Sequence, residues 1–206
     1  MVKFFGLMFA LAAMVSSANA ALLVSYNFND PDSTKDPSVV TSGISAETSV
    51  GNWNSSASTF NLTQSVSSTG TTRSESFKFN VVSPNSVTLD TFTFDAGVAG
   101  PRTVGFTPTF KLNNVLVSSS LYTVSQASGS GAYTVTFNPQ FAIGAGSTFE
   151  GLISARATTG GTSGNLTSLS LDNVNFNGAL VPEPASMAVF GLLGAGFAIR
   201  RLRRNA

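Results

Sequence analysis

Glu75-Ser-Phe-Lys-Phe-Asn-Val-Val82 and, after three residues, Ser86-Val-Thr-Leu-Asp-Thr-Phe-Thr-Phe-Asp95 decide what kind of fold this chain makes. In the first segment Phe77, Phe79 and Val81 alternate with polar neighbours, the period of a strand with one face buried and one face wet. The second starts in the same way, with Val87 and Leu89 at odd positions, but its next apolar residues, Phe92 and Phe94, stand at even ones. A change of phase inside one strand needs one extra residue, because a single slip turns every later side chain to the other face. A bulge is therefore predicted near Asp90-Thr91.

The same alternation runs outward in both directions. Upstream, Leu22 to Asn29 carries Leu22, Val24, Tyr26 and Phe28 in phase and ends in the turn cluster Asn29-Asp30-Pro31-Asp32. Residues Ser33 to Ser58 are polar and read as long loops with one short strand at most, and Phe60 and Leu62 begin the next apolar alternation. Downstream, strands are expected over Arg102–Leu112, Val115–Val124, Ala132–Asn138, Ser147–Ala157 and Leu166–Phe176, with Asn113-Asn114 as a hairpin turn. The last of these also shifts phase, from Leu169 and Leu171 to Val174 and Phe176. About nine short strands with glycine-rich turns, and no apolar stripe of helical period between them, predict an all-β antiparallel sandwich of jelly-roll type. Gly178 to Val181 reads as a short tether beyond it.

The ends of the chain have a different composition. Met1 to Ala20 has one lysine, an apolar stretch from Phe4 to Val15, and Ala18-Asn19-Ala20, the small-x-small pattern that signal peptidase cuts, here before Ala21. At the other end Val181-Pro-Glu-Pro184 leads into an apolar run from Ala185 to Ile199 and then Arg200-Arg201-Leu202-Arg203-Arg204. As a helix that run would be about 22 Å long, marginal against a hydrocarbon core of about 30 Å. Arg200, Arg201, Arg203 and Arg204 supply snorkelling length and act as a membrane stop. Positive charge stays on the cytoplasmic side, so the residues before Pro184 are expected outside. Pro184 suits a first helical turn, and Pro182 keeps the chain extended ahead of it.

This three-part tail resembles the PEP-CTERM protein-sorting tail of exopolysaccharide-producing, mostly Gram-negative bacteria, with Pro182, Glu183 and Pro184 as the signature triplet. The resemblance implies recognition and cutting by a membrane-embedded exosortase, and delivery from an inner-membrane-anchored precursor to the cell surface or the extracellular matrix. The core is loosely similar to the body of such proteins, in Leu23–Phe28 and Leu171–Gly178. The expected domains are a signal peptide at 1–20, a sandwich at 21–180 and a sorting tail at 181–206 with its transmembrane helix at 185–199.

The chain has 206 residues and a formal net charge of +1, from 11 basic and 10 acidic side chains. Setting aside Lys3, the four tail arginines and Glu183 leaves six basic and nine acidic residues, a net of −3 for the sandwich. Without a basic patch, the attraction behind non-specific nucleic-acid binding is missing, so nucleic acid is not an expected partner. There is no cysteine and no histidine. That excludes a thiolate nucleophile, an imidazole base and the usual zinc sites, and leaves an exported domain to hold together by its apolar core.

Few residues offer chemistry. Asp30, Asp32 and Asp36 present oxygen ligands of the kind calcium takes, but Thr34 and Lys35 break the EF-hand pattern, and an Asp-Pro turn is the competing reading. Trp53, in Gly51-Asn-Trp-Asn54, is read either as a platform for a sugar ring or as an apolar plug over one end of the sandwich. Glu75, Asp90, Asp95 and Glu150 are taken as surface acids, since none lies in a catalytic motif. The sequence thus predicts a non-enzymatic structural or adhesive component of an exopolysaccharide matrix, with a carbohydrate-binding module as the alternative, and no cofactor unless calcium binds.

Overall fold

The computed structural model describes residues 20–28, 35–56, 61–66, 72–82, 85–117, 124–126, 129–159 and 166–182. The strands are β1 (Ala21–Tyr26), β2 (Val39–Val40), β3 (Ile44–Ala46), β4 (Val50–Gly51), β5 (Asn54–Ser56), β6 (Asn61–Val66) and β7 (Thr72–Val81). They continue with β8 (Asn85–Ala99), β9 (Thr103–Leu112), β10 (Val115–Leu116), β11 (Val124–Gln126), β12 (Gly129–Ile143), β13 (Thr148–Thr159) and β14 (Thr167–Pro182). All pairings are antiparallel, in two sheets of seven strands each. The eight principal strands run β1-β14-β8-β12 in one sheet and β7-β13-β9-β11 in the other. Apart from β9 and β11, which pair with each other, successive strands of these eight cross between the sheets, which is the order of a jelly roll.

Phenylalanine fills the space between the sheets. Phe176 of β14 packs on Phe92 of β8 at 4.9 Å between ring centroids and, across the gap, edge-on to Phe79 of β7 at 5.3 Å and Phe149 of β13 at 6.1 Å. Phe92 meets Phe110 of β9 at 5.2 Å, and Tyr26 of β1 meets Phe77 at 5.0 Å, both edge-on. Such T-shaped pairs add about 0.5–1.5 kcal/mol each to what burial of the rings contributes. Gly151 makes room for them, because a Cβ there would stand 2.9 Å from Phe176 Cζ.

Both predicted phase changes are bulges. Between Thr91 and Leu89 of β8, Asp90 has no partner on β14, where the register passes from Asn177 directly to Gly178. On β14 the register jumps from Asp172–Asp95 to Asn175–Thr93, and Asn173 takes φ 48°, a left-handed conformation that Asn adopts more readily than most residues. Val87, Leu89, Phe92, Phe94, Leu171, Val174 and Phe176 all end up inside.

Three expectations need correction. The stretch read as loop contains β2 to β5, too short to show a period of two. The strand expected to end at Asn138 continues as β12 to Ile143, because the four residues Phe137–Gln140 loop out opposite Asp90, so Pro139 needs no ladder bond. Gly178 to Val181 is no tether: β14 pairs with β8 through Pro182, which lies opposite Asn85. Gly178 looks like a flexible linker residue in the sequence, but it is a packing requirement, since a Cβ there would come within 2.0 Å of Thr88 O.

Candidate functional site

Two places on the molecule combine suitable chemistry with access. The first is the end of β14, where the sandwich hands over to the tail. β8 flanks β14 on one side along its length, and β1 flanks it on the other from Val174 to Gly178. Ser86 Oγ donates to Val181 O at 3.1 Å, so the strand is held up to the residue before Pro182. Ala21, the first residue of β1, lies opposite Gly178. The start of the sandwich and the approach to the Pro-Glu-Pro triplet are therefore adjacent strands leaving one end of one sheet. Pro182 closes β14, while Glu183, Pro184, the run 185–199 and Arg200, Arg201, Arg203 and Arg204 lie outside the described residues, as do residues 1–19. Among the described residues no helix is long and apolar enough to cross a membrane.

The second is a cavity of about 250 Å³ at the lateral edge of the sandwich. It is lined by Phe137, Asn138 and Pro139 of the looped segment of β12, by Phe141 just after it, and by Phe110, Val117 and Phe149. Asn138-Pro139 is a cis peptide, and Gln140 Nε2 donates to Asp90 Oδ1, so the looped segment is fastened to the bulge residue it faces. Phe137 sits edge-on to Phe110 at 5.0 Å. The walls offer aromatic faces, while Asn138 and Thr136, exposed at the rim, offer hydrogen bonds.

The residues singled out from the sequence are dispersed. Trp53 is 1% exposed, so its ring faces the protein. Asp30 and Asp32 lie outside the described residues; Asp36 is exposed and its Oδ1 accepts from Thr48 Oγ1. Among the described residues no group of three acidic side chains is placed to hold a metal ion. Tyr26 is wholly buried, donates to Glu47 O at 2.7 Å, and has its hydroxyl acidity suppressed by burial first and by the charge of Glu47 second.

The acids are not all on the surface. Glu75 is completely buried: Lys35 Nζ and Ser49 Oγ each lie 2.8 Å from its Oε1, and the Trp53 backbone N–H reaches Oε2 at 3.3 Å. Its phase could have shown this, since Glu75 alternates with Phe77 and Phe79 and so points the same way. Glu150, 7% exposed, lies beside the Lys side chains on the other face of that sheet. Burial pushes its carboxyl up, but the Ser76 hydroxyl at 2.5 Å and the Lys111 ammonium at 3.3 Å outweigh this and hold it below the usual range. Asp95 and Asp172 are directly opposed on the outer face of the β8–β14 sheet. Asp172 is pushed up to about 6, by burial first and by Asp95, while the Asn173 N–H at 2.7 Å partly offsets both.

Comparison with known proteins adds the following. The family model of the PEP-CTERM protein-sorting motif matches residues 180–204, so the motif begins inside β14. No curated protein sequence matches the chain. Among solved structures, a mannan-recognising carbohydrate-binding module, TmCBM27, is similar over 79% of this chain and 99% of its own, at 12% identity and a TM-score of 0.45. The module TmCBM61, solved with β-1,4-galactotriose, is similar over 68% and 87%, at 10% identity and a TM-score of 0.31. The family 11 carbohydrate-binding module of a Clostridium thermocellum cellulase is similar over 80% and 97%, at 14% identity and a TM-score of 0.31. All three likenesses are distant.

Proposed function

We propose that this chain is an exported bacterial surface or matrix protein. In this reading signal peptidase cuts before Ala21, the tail holds the sandwich at the outer face of the inner membrane, and an exosortase acting at Pro182-Glu183-Pro184 passes it on. The observation that carries the reading is the sorting motif over residues 180–204. The geometry agrees with it, because β14 delivers Pro182 at the end of the sheet from which β1 also begins. The mature sandwich would serve as a structural or adhesive part of an exopolysaccharide matrix, and the reading assigns it no reaction. The test is fractionation of cells making the wild type or Glu183→Ala: the wild type is expected at the surface or in the medium in shortened form, the variant uncut and retained in the membrane fraction. Equal mass and equal distribution of both would remove the sorting claim.

A second reading, carbohydrate binding by the sandwich, is favoured by the cavity beside Pro139. Its aromatic walls suit the apolar face of a sugar ring, and Asn138 and Thr136 suit its hydroxyls. Affinity electrophoresis of the full chain in gels containing mannan, galactan or mixed-linkage glucan tests this. Retardation of the wild type that is lost in the doubly exposed-site variant Thr136→Ala/Asn138→Ala supports it; no retardation in any gel sinks it.

A further inference from the structure

The two ends of the sandwich differ in charge. At the end where β1 starts and β14 stops, the neighbouring segments are the turn before β3, the turn from β7 to β8, Asn113-Asn114 and Gly144–Ser147. The described residues of these segments include no Asp, Glu, Lys or Arg; Lys111, opposite Leu116, is paired with Glu150. This pole does include exposed apolar side chains: Val82 is 47%, Val115 67%, Leu116 58% and Val181 42% exposed. At the opposite end, Arg73 is the second residue of β7, the buried Arg102 precedes β9 and Arg156 lies near the end of β13. The division is one of charge, since Leu166, 63% exposed, leaves an apolar side chain at the arginine-bearing end too.

The chain path supplies the reason. Only Glu183 and Pro184 separate the last paired residue from the apolar run that begins at Ala185. Fully extended, those three steps reach about 10 Å. The apolar stretch ahead of Ala21 leaves from the neighbouring strand, opposite Gly178. If the tail is in the bilayer, the uncharged pole is pressed to its surface. Charged side chains there would lose hydration, whereas Val and Leu gain by entering the interface.

We propose that, while the tail is uncut, the pole formed by Val82, Val115, Leu116 and Val181 rests on the lipid surface, with the arginine-bearing end turned away. This rests on the export reading above, and the experiment keeps the two apart. The chain has no cysteine, so a single introduced one labels one place. Full-length protein is reconstituted into vesicles of phosphatidylethanolamine and phosphatidylglycerol, with an environment-sensitive fluorophore at Val82→Cys or Val115→Cys, or at Ser168→Cys or Arg156→Cys. Along β14 the two poles are roughly 40 Å apart. Labels at Val82 and Val115 are expected to shift to the blue and lose most of their emission to a lipid-borne quencher; those at Ser168 and Arg156 are expected to do neither. Val82→Asp should restore much of the emission of a label at Val115. Protein that floats with the vesicles but shows equal quenching at all four sites overturns this proposal alone. Protein that does not float overturns the anchored precursor as well.

Discussion

At the scale of single residues, the outcome turns on which side chains the sheets enclose. Trp53 and Glu75 belong to one cluster, in which a buried carboxylate holds Lys35, Ser49 and the Trp53 backbone against β7. Trp53→Ala is expected to cost about 3–5 kcal/mol in urea unfolding, as for other large buried aromatics. A loss below about 0.5 kcal/mol would place the ring at the surface after all. Asp172 makes a pH prediction. Its carboxyl lies at about 6 in the fold against an ordinary 3.8, so the folded state holds its proton more tightly than the unfolded state. The stabilisation this gives is full below pH 3.8 and lost as pH rises through 6. Asp172→Asn, whose amide oxygen can still accept from the Asn173 N–H, should therefore stabilise the protein near pH 7 by about 1 kcal/mol once solvent screening of the half-exposed group is allowed for. The gain should vanish near pH 4, and equal stability of variant and wild type at both pH values would refute it. The side on which Glu75 points was legible from its phase with Phe77. Its partners were not, because Lys35 is 40 positions away and nothing local ties the two together.

At the scale of elements, alternation carried most of the information. Both bulges could be read from where the apolar phase switches, since a buried face tolerates no slip. Strands of two or three residues could not, and neither could the continuation of β12 past Pro139 or of β14 past Gly178, where proline and glycine read as breaks. Gly178→Ala tests the β14 correction. With Thr88 O only 2.0 Å from the added methyl, the β8–β14 ladder must part locally, at a cost of about 1–3 kcal/mol. A tether, as first expected there, would absorb the alanine with no loss of melting temperature. Asn173→Val should cost about 1–2 kcal/mol, because a β-branched side chain is strained at φ 48°; unchanged unfolding would mean the bulge takes another conformation.

At the scale of the whole molecule, the sandwich sets where its two terminal segments attach. The jelly roll brings the first and last strands side by side, so that the apolar stretches before Ala21 and after Pro184 are attached at one end. The sorting motif was legible from the tail alone, since its triplet, apolar run and arginines are local in sequence. The polarity of the sandwich was not, because it depends on which distant turns the fold gathers at each end. The cavity beside Pro139 was hidden for the same reason: Phe110, Phe137 and Phe149 come from three strands. The most direct measurement is the intact mass of the protein recovered from outside its producing cells. The account predicts a species lighter than the 21.3 kDa chain, beginning at Ala21 and lacking the arginine tail. A 21.3 kDa chain with both ends intact, soluble in the cytoplasm, would contradict it.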